Sequence, residues 1–403
     1  MRSIFSAVPT YAGDAIFALV EAFQKDPNPN KVSLSIGTYF DEDGRIPAMA
    51  AVRAAKLQLL PAAATHPYLP IPGLESFRQA TKGLIFGNDA LLLGRTATVQ
   101  SIGGTGALKL GADFLRRTCA DAAVWVSDPT WENHEQVFGQ AGFTVHKYPY
   151  YDAATGEVRF AEMAKTLRSL PKGSIVVLHA SCHNPTGVDL SHSQWGEIVA
   201  LCANHDLIPF FDLAYQGFGE GLDDDALPIR MMARAGVEFL VASSFSKNFS
   251  LYGERCGALS VVCRGEEDAQ RVLGQVKSLI RGNYSTPPTF GAALIGHILS
   301  TPELRASWET ELKSMRVRLV GLRSLLCSSL TALTHGEMDF RYIEAQRGMF
   351  SYMQLSPQQV ERLRKEHAVY LLKSGRLCVA GLTVNNVDYV ARAIAMVLSD
   401  KRD

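Results

Sequence analysis

Five short apolar runs, each closing on a polar or glycine-rich tip, constrain the fold of this chain more than any other feature of it. They cover residues 97–102, 123–126, 174–179, 207–211 and 239–242. At this length they are too short for buried helices and match strands covered on both faces. Helical patterns follow at residues 107–115 and 194–204, the second with Trp195, Ile198, Val199 and Cys202 on one face. Strand, polar tip and helix in repetition predict an α/β fold with a mostly parallel, doubly wound sheet. In such sheets ligands bind along the carboxyl edge.

The remaining pattern fits a second, smaller α/β domain, as expected for 403 residues. An amphipathic helix is predicted over 11–23, an alternating strand over 31–36 that ends at Gly37, and a helix over 48–60. Residues 66–73 hold three prolines and read as an extended loop carrying Tyr68. A helix is expected over 272–279, then a loop over 281–288 containing Arg281. Thr301 as cap and Pro302 in the first turn begin a long helix with Leu304, Trp308, Leu312, Met315, Leu319 and Leu322 on its apolar stripe. Strands are expected over 349–353 and 376–380.

Forty basic and forty acidic residues balance, with no basic stripe, which excludes nucleic acid and anionic membranes as default partners. Residues 1–20 are broken by Pro9, Gly13 and Asp14 and read as neither a signal peptide nor a membrane span. Seven scattered cysteines without a C-x-x-C pair fit reduced thiols, so a cytoplasmic protein is expected.

The tips carry the chemistry. Gly103-Gly104-Thr105-Gly106 opens a helix and offers backbone N–H groups to a phosphate; Lys109 stands where a dinucleotide fingerprint needs its third small residue. Trp131 reads as core or as a flat ring for stacking on a cofactor, and His134 as a satisfied structural histidine. His179, Cys182 and His183 have zinc-ligand chemistry, yet no second cluster joins them and no metal is expected. Asp212 follows an apolar run, where an ion is costly unless a cation such as a protonated pyridine nitrogen pairs with it. Asn184 and Tyr215 can hydrogen-bond that ring's phenolic oxygen. Ser244, Ser246 and Arg255 suit a phosphate, and the Lys247 amine can condense with an aldehyde, which together point to pyridoxal phosphate. Lys247 taken alone is equally a solvated turn lysine. Ser244-Phe245-Ser246-Lys247 also matches S-x-x-K, but the S-D-N and K-T-G strings of those serine enzymes do not occur. Arg376 reads as a surface arginine or as a fork for a carboxylate.

Taken together, Gly103-Gly104-Thr105-Gly106-Ala107, Asp128-Pro129-Thr130-Trp131, His183-Asn184-Pro185-Thr186-Gly187, Asp212-Leu213-Ala214-Tyr215-Gln216-Gly217, Ser244-Phe245-Ser246-Lys247-Asn248-Phe249 and Gly375-Arg376 closely resemble the aspartate aminotransferase family over nearly the whole chain. Tyr11-Ala12-Gly13-Asp14, Leu251-Tyr252-Gly253-Glu254-Arg255 and Asn283-Tyr284-Ser285-Thr286 are most similar to its bacterial aromatic-amino-acid members, whereas Thr105 replaces a serine common among them. The resemblance implies fold type I, with residues 1–46 as an N-terminal arm and part of the small domain, 47–314 as the large domain and 315–403 as the small one. It implies an aminotransferase for aromatic amino acids and aspartate with 2-oxoglutarate as acceptor; the alternative is an aspartate aminotransferase with little aromatic activity. Lys247 would bind the cofactor and move the proton, Asp212 would hold the pyridine nitrogen, and Trp131, Asn184 and Tyr215 would contact the ring. Gly104, Thr105, Ser244, Ser246 and Arg255 would hold the phosphate, joined by Tyr68 of a second subunit. Arg376, Asn184, Trp131 and Gly37 would bind the substrate's α-carboxylate. Arg281, also from the second subunit of a homodimer, would meet a distal carboxylate; because a buried unpaired guanidinium is costly, it is expected to swing outward when an aromatic side chain binds. A lyase of the same fold and a cofactor-binding regulator without turnover are the competing readings.

Overall fold

A computed structural model describes residues 3–10, 13, 15–60 and 67–399. Its strands are, in chain order, β1 (Val32–Ser33), β2 (Thr96–Ile102), β3 (Val124–Asp128), β4 (Val145–Pro149), β5 (Tyr151–Asp152), β6 (Glu157–Val158), β7 (Ile175–His179), β8 (Ile208–Leu213), β9 (Phe239–Ser244), β10 (Cys256–Val262), β11 (Phe350–Tyr352), β12 (Val369–Tyr370) and β13 (Arg376–Cys378). Seven of them form the central sheet, in the order β2-β10-β9-β8-β7-β3-β4. Every pairing among β9, β8, β7, β3 and β4 is parallel, and β10 alone runs antiparallel to both of its neighbours. All five apolar runs are strands of this sheet. Strand β10 has no counterpart among them, because Gly257 and Ser260 dilute its apolar character.

Alternate side chains of each strand enter different cores, which is the period-two signature of a sheet covered on both faces. Phe211, Val176 and Leu178 pack with Trp195, Ile198 and Met163 on one side; Phe210, Val177 and Leu240 pack with Leu108, Phe114 and Phe138 on the other. Burying a phenylalanine completely, as at Phe210 and Phe211, contributes about 1.5–3 kcal/mol each. That burial, repeated along the strands, is what fixes the sheet edge where the tips meet.

A third apolar cluster joins the sheet to the C-terminal region, running from Phe249 and Ile295 through Trp308 and Leu319 to Val390 and Ile394. Its spine is the 32-residue helix Pro302–Leu333, which at 1.5 Å per residue is about 48 Å long. All six residues of the expected stripe are buried along it. The Thr301 side chain makes no capping hydrogen bond. Two small ladders complete the C-terminal region: β1 pairs parallel with β12, and β11 antiparallel with β13.

Several boundaries differ from expectation. The first described helix is Ala15–Lys25; Tyr11, Ala12 and Asp14 lie outside the described residues. Of the expected strand over 31–36 only Val32 and Ser33 pair. The helix expected over 272–279 is Glu266–Asn283, so Arg281 sits in its last turn rather than in a loop. Three acidic residues in that helix's first turn and Arg281 in its last complement the helix dipole and account for the longer span. No helix among the described residues is long and apolar enough to cross a membrane.

Candidate active site

The strand tips meet at one edge of the sheet around a cleft of about 750 Å³, a size suited to a small-molecule site. Strand β2 passes directly into the helix Gly103–Thr118, so the glycine-rich stretch is the helix's first turn rather than a turn before it. No side chain caps this end and no acidic residue occupies its first turn, which leaves N–H groups and the positive dipole end for an anion. Gly103 has φ +68°, and a Cβ there would lie 2.6 Å from Nη2 of Arg255. At that φ any side chain is strained, and a Cβ would press on the Arg255 guanidinium.

Ser244 ends β9 and Ser246 follows in the loop, their hydroxyls 3.3 Å apart. Arg255 donates from Nη1 to Ser246 Oγ at 3.5 Å and to the Tyr252 carbonyl at 3.2 Å. The loop between β9 and β10 is pinned at its base, with Phe245 N–H donating to the Cys256 carbonyl at 3.0 Å and Gly103 N–H to the Arg255 carbonyl at 2.9 Å. Two hydroxyls, one guanidinium and a helix N-terminus form a cradle with the chemistry of a phosphate site.

Lys247 lies on this loop, half-buried, with its Nζ 5.1 Å from the centre of the Tyr215 ring. Burial lowers its pKa to about 8; Asp212 opposes the shift, while Arg255 and Arg376 reinforce it. Asp212 is buried at the end of β8. Burial acts to raise its carboxyl, but the hydrogen bond from His134, with electrostatic support from His134, His179 and Lys247, outweighs it and holds the pKa below the usual value. His134 is fixed on both sides, by Thr130 Oγ1 at 2.8 Å and Asp212 Oδ2 at 3.1 Å. It is satisfied, as expected, and it supports the carboxylate, which its sequence position gave no means of seeing.

His183 is also spoken for, by Ser127 at 2.9 Å and Thr186 at 2.8 Å, so it does not join Cys182 as a metal ligand. Among the described residues the group with metal-ligand spacing is instead His134, His179 and Asp212, with donor atoms within 4.8 Å. Burial, with His134 adding to it and Asp212 opposing, takes His179 down to about 3, so its ring is neutral.

Arg376 enters the cleft from β13 and is buried. Its two hydrogen bonds go to neutral oxygens, Asn184 Oδ1 at 3.2 Å and the Ser35 carbonyl at 2.8 Å. A buried guanidinium so placed has the chemistry to pair with a carboxylate. Gly37, Gly104, Thr105, Trp131, Asn184, Asp212, Tyr215, Ser244, Ser246, Lys247, Arg255 and Arg376 thus line one cleft. Phe350, Leu108, Ile16 and Ile36 line it too and were not singled out from sequence. Their apolar character could not be told from core, and only the fold brings them to the opening. Tyr68 and Arg281 do not line it. Tyr68 is 93% exposed, and Arg281 is exposed beside Ser285, to which it donates.

Residues 29–394 match the family described as Aminotransferase class I and II. The chain is 51% identical to the aromatic-amino-acid aminotransferase of Escherichia coli K12, over 98% of this chain and all of that one. It is 49% identical to an aspartate aminotransferase of Pseudomonas aeruginosa over the same shares. A crystal structure of the aromatic-amino-acid aminotransferase of Burkholderia pseudomallei covalently bound to pyridoxal phosphate superposes with a TM-score of 0.96 at 50% identity, covering 99% of this chain and 100% of that one. With a sheet, a cleft and a full-length match that agree, the chain belongs to the class I and II aminotransferases.

Proposed function

We propose that this protein is a pyridoxal 5′-phosphate-dependent aminotransferase that moves the amino group of tyrosine, phenylalanine, tryptophan and aspartate to 2-oxoglutarate. The observation that carries the reading is the convergence of a half-buried lysine of lowered pKa, a buried carboxylate and a buried arginine with neutral partners in one cleft. The residues fit the cofactor: an uncapped helix start beside two serines and Arg255 for the phosphate, and a buried anion for the ring nitrogen.

Pyridoxal phosphate, when bound, supplies an aldehyde carbon and an electron-withdrawing ring. Gly104, Thr105, Ser244, Ser246 and Arg255 would hold the phosphate. Asp212, kept ionised by His134, would hold a proton on the pyridine nitrogen; Trp131 would face the ring, and Asn184 and Tyr215 would offer hydrogen bonds to its phenolic oxygen. Lys247 would anchor the cofactor through its amine and, as a free amine, would take up and return the proton of the substrate's Cα. A pKa of about 8 suits a group that must give and take a proton near neutrality. Arg376, Asn184, Trp131 and the Gly37 backbone orient the substrate through its α-carboxylate. Amino acid and 2-oxo acid therefore use the same cleft in turn, a ping-pong scheme.

The exposure of Tyr68 and Arg281 supports a two-fold homodimer in which each serves the neighbouring copy's cleft, Tyr68 at the phosphate and Arg281 at a distal carboxylate. The division into 1–46, 47–314 and 315–403 completes the proposal, the last border falling inside the helix Pro302–Leu333. Seven free cysteines support a cytoplasmic location. The 49% identity to an aspartate aminotransferase favours a second reading, an aspartate enzyme with little aromatic activity. Comparing kcat/KM for phenylalanine and aspartate, with 2-oxoglutarate as acceptor and Lys247→Ala as control, decides between them. Comparable values support dual specificity, and aspartate alone supports the second reading. Turnover retained by the control removes both.

A further inference from the structure

Phe350 touches three groups of the cleft at once. Its ring centre is 4.3 Å from the guanidinium carbon of Arg376, and the ring meets Tyr215 edge-on with centres 5.8 Å apart. Its tip abuts Gly37, where a Cβ would come within 2.8 Å of Cζ. The main chain of Phe350 is fixed as firmly as the ring. Arg323, buried in the helix Pro302–Leu333, donates from Nη2 to the Phe350 carbonyl at 2.8 Å and to the Gly348 carbonyl at 2.7 Å. On the other side a Cβ at Gly187 would meet the Phe350 carbonyl at 2.5 Å. Strand pairing places Phe350 opposite Cys378, two residues along β13 from Arg376.

These contacts divide the restraint on Arg376 by direction. Hydrogen bonds to Asn184 and the Ser35 carbonyl act within the guanidinium plane and set where the fork lies. The face of the Phe350 ring, 4.3 Å from the guanidinium carbon, bounds the group from a further side and limits how it can tilt. The same ring occupies space that water would otherwise take, so the cation meets a ligand without first shedding water from that side.

We propose that Phe350 is the positioning residue for Arg376, holding the guanidinium plane in register for a carboxylate, and that Arg323 fixes Phe350 in turn. The proposal rests on Arg376 being the carboxylate-binding group. Because Phe350 acts through Arg376, its loss weakens carboxylate binding more than it slows turnover at saturation.

The test uses the cofactor-loaded enzyme and 3-phenylpropionate, a carboxylate with no amine to transfer, so that binding is read by calorimetry apart from turnover. Phe350→Met keeps the volume and removes the ring, and a roughly tenfold rise in Kd is expected. With phenylalanine as donor, KM should rise by a similar factor while kcat changes less than threefold, by the same magnitude argument. Arg323→Met, which keeps much of the side chain's volume but removes the nitrogen that donates to both carbonyls, should shift Kd in the same direction. It serves as the measured variant if Phe350→Met does not fold. Arg376→Lys separates the layers of the argument. If Arg376→Lys abolishes binding while the folded Phe350 and Arg323 variants bind within about twofold of wild type, the positioning role is overturned and the assignment of Arg376 stands. If Arg376→Lys itself binds as wild type does, the carboxylate site lies elsewhere and the proposal falls with it.

Discussion

The lowered pKa of Lys247 makes a quantitative claim on the protein without its cofactor. An ordinary lysine near 10.5 carries about three free amines in ten thousand at pH 7, whereas one titrating at about 8 carries nearly one in ten, a gain of about 300-fold. The cause is burial, opposed by Asp212 and reinforced by Arg255 and Arg376, so perturbing the neighbours gives signed shifts. Asp212→Asn removes the anion that sustains the ammonium form and should move the midpoint below that of wild type; Arg376→Gln should move it above. The assay is the rate of capture of pyridoxal, the aldehyde lacking the phosphate, by apo-protein between pH 6 and 10, followed by absorbance. Omitting the phosphate keeps the cradle out of the measurement. The wild-type rate should rise with a midpoint of about 8. A midpoint at the ordinary lysine value, or an upward shift in Asp212→Asn, would refute the argument that burial and local charge set this amine.

Four further outcomes follow from the geometry. Gly103→Ala places a Cβ 2.6 Å from Arg255 Nη2 at a φ of +68°; the left-handed strain alone costs about 1–2 kcal/mol, and retention of pyridoxal phosphate on dialysis should fall. His134→Phe removes the hydrogen bond that holds Asp212 below its usual pKa and leaves burial to raise it, so the acid limb of the kcat/KM profile should move to higher pH. Trp308→Phe preserves the stack on Phe249 but loses the donation to the Asn248 carbonyl at 2.7 Å; urea unfolding should report a loss of about 1–3 kcal/mol. Mixing Lys247→Ala with Arg281→Ala subunits should restore aspartate turnover to about a quarter of the sites if dimer clefts are shared, and equal inactivity of the mixture and its parents argues against sharing.

What could be read from the sequence was whatever a residue's immediate neighbours reveal. Asp212 and Lys247 were legible because each follows an apolar run, which places it at a strand end, and strand ends converge. His134 was read only as satisfied, because its role depends on Asp212, 78 residues away. Arg323 was not singled out on the long helix, although it is buried against two carbonyls. Asp225 was passed over in a run of acidic residues, yet its carboxylate accepts from the N–H groups of Gly217, Gly219 and Glu220 at 2.7–3.0 Å and shapes the turn after Tyr215. In each case the deciding partner is a backbone group, or is brought near only by packing, and local pattern carries no trace of it.

The antiparallel course of β10 has a consequence for how the molecule matures. Its register joins Cys256 to Ile102 and Val262 to Thr96, closing a loop of about 150 residues, and such distant pairings form late and slowly. The phosphate cradle is built on that closure, since Arg255 and Gly103 stand at the junction. A chain that has not yet completed its sheet therefore has no place for the cofactor. Once the cofactor is present at a hundredfold excess over its Kd, the finished state gains about 2.7 kcal/mol over every unfinished one. Cofactor supply during synthesis would then govern how much protein survives as well as how much is active.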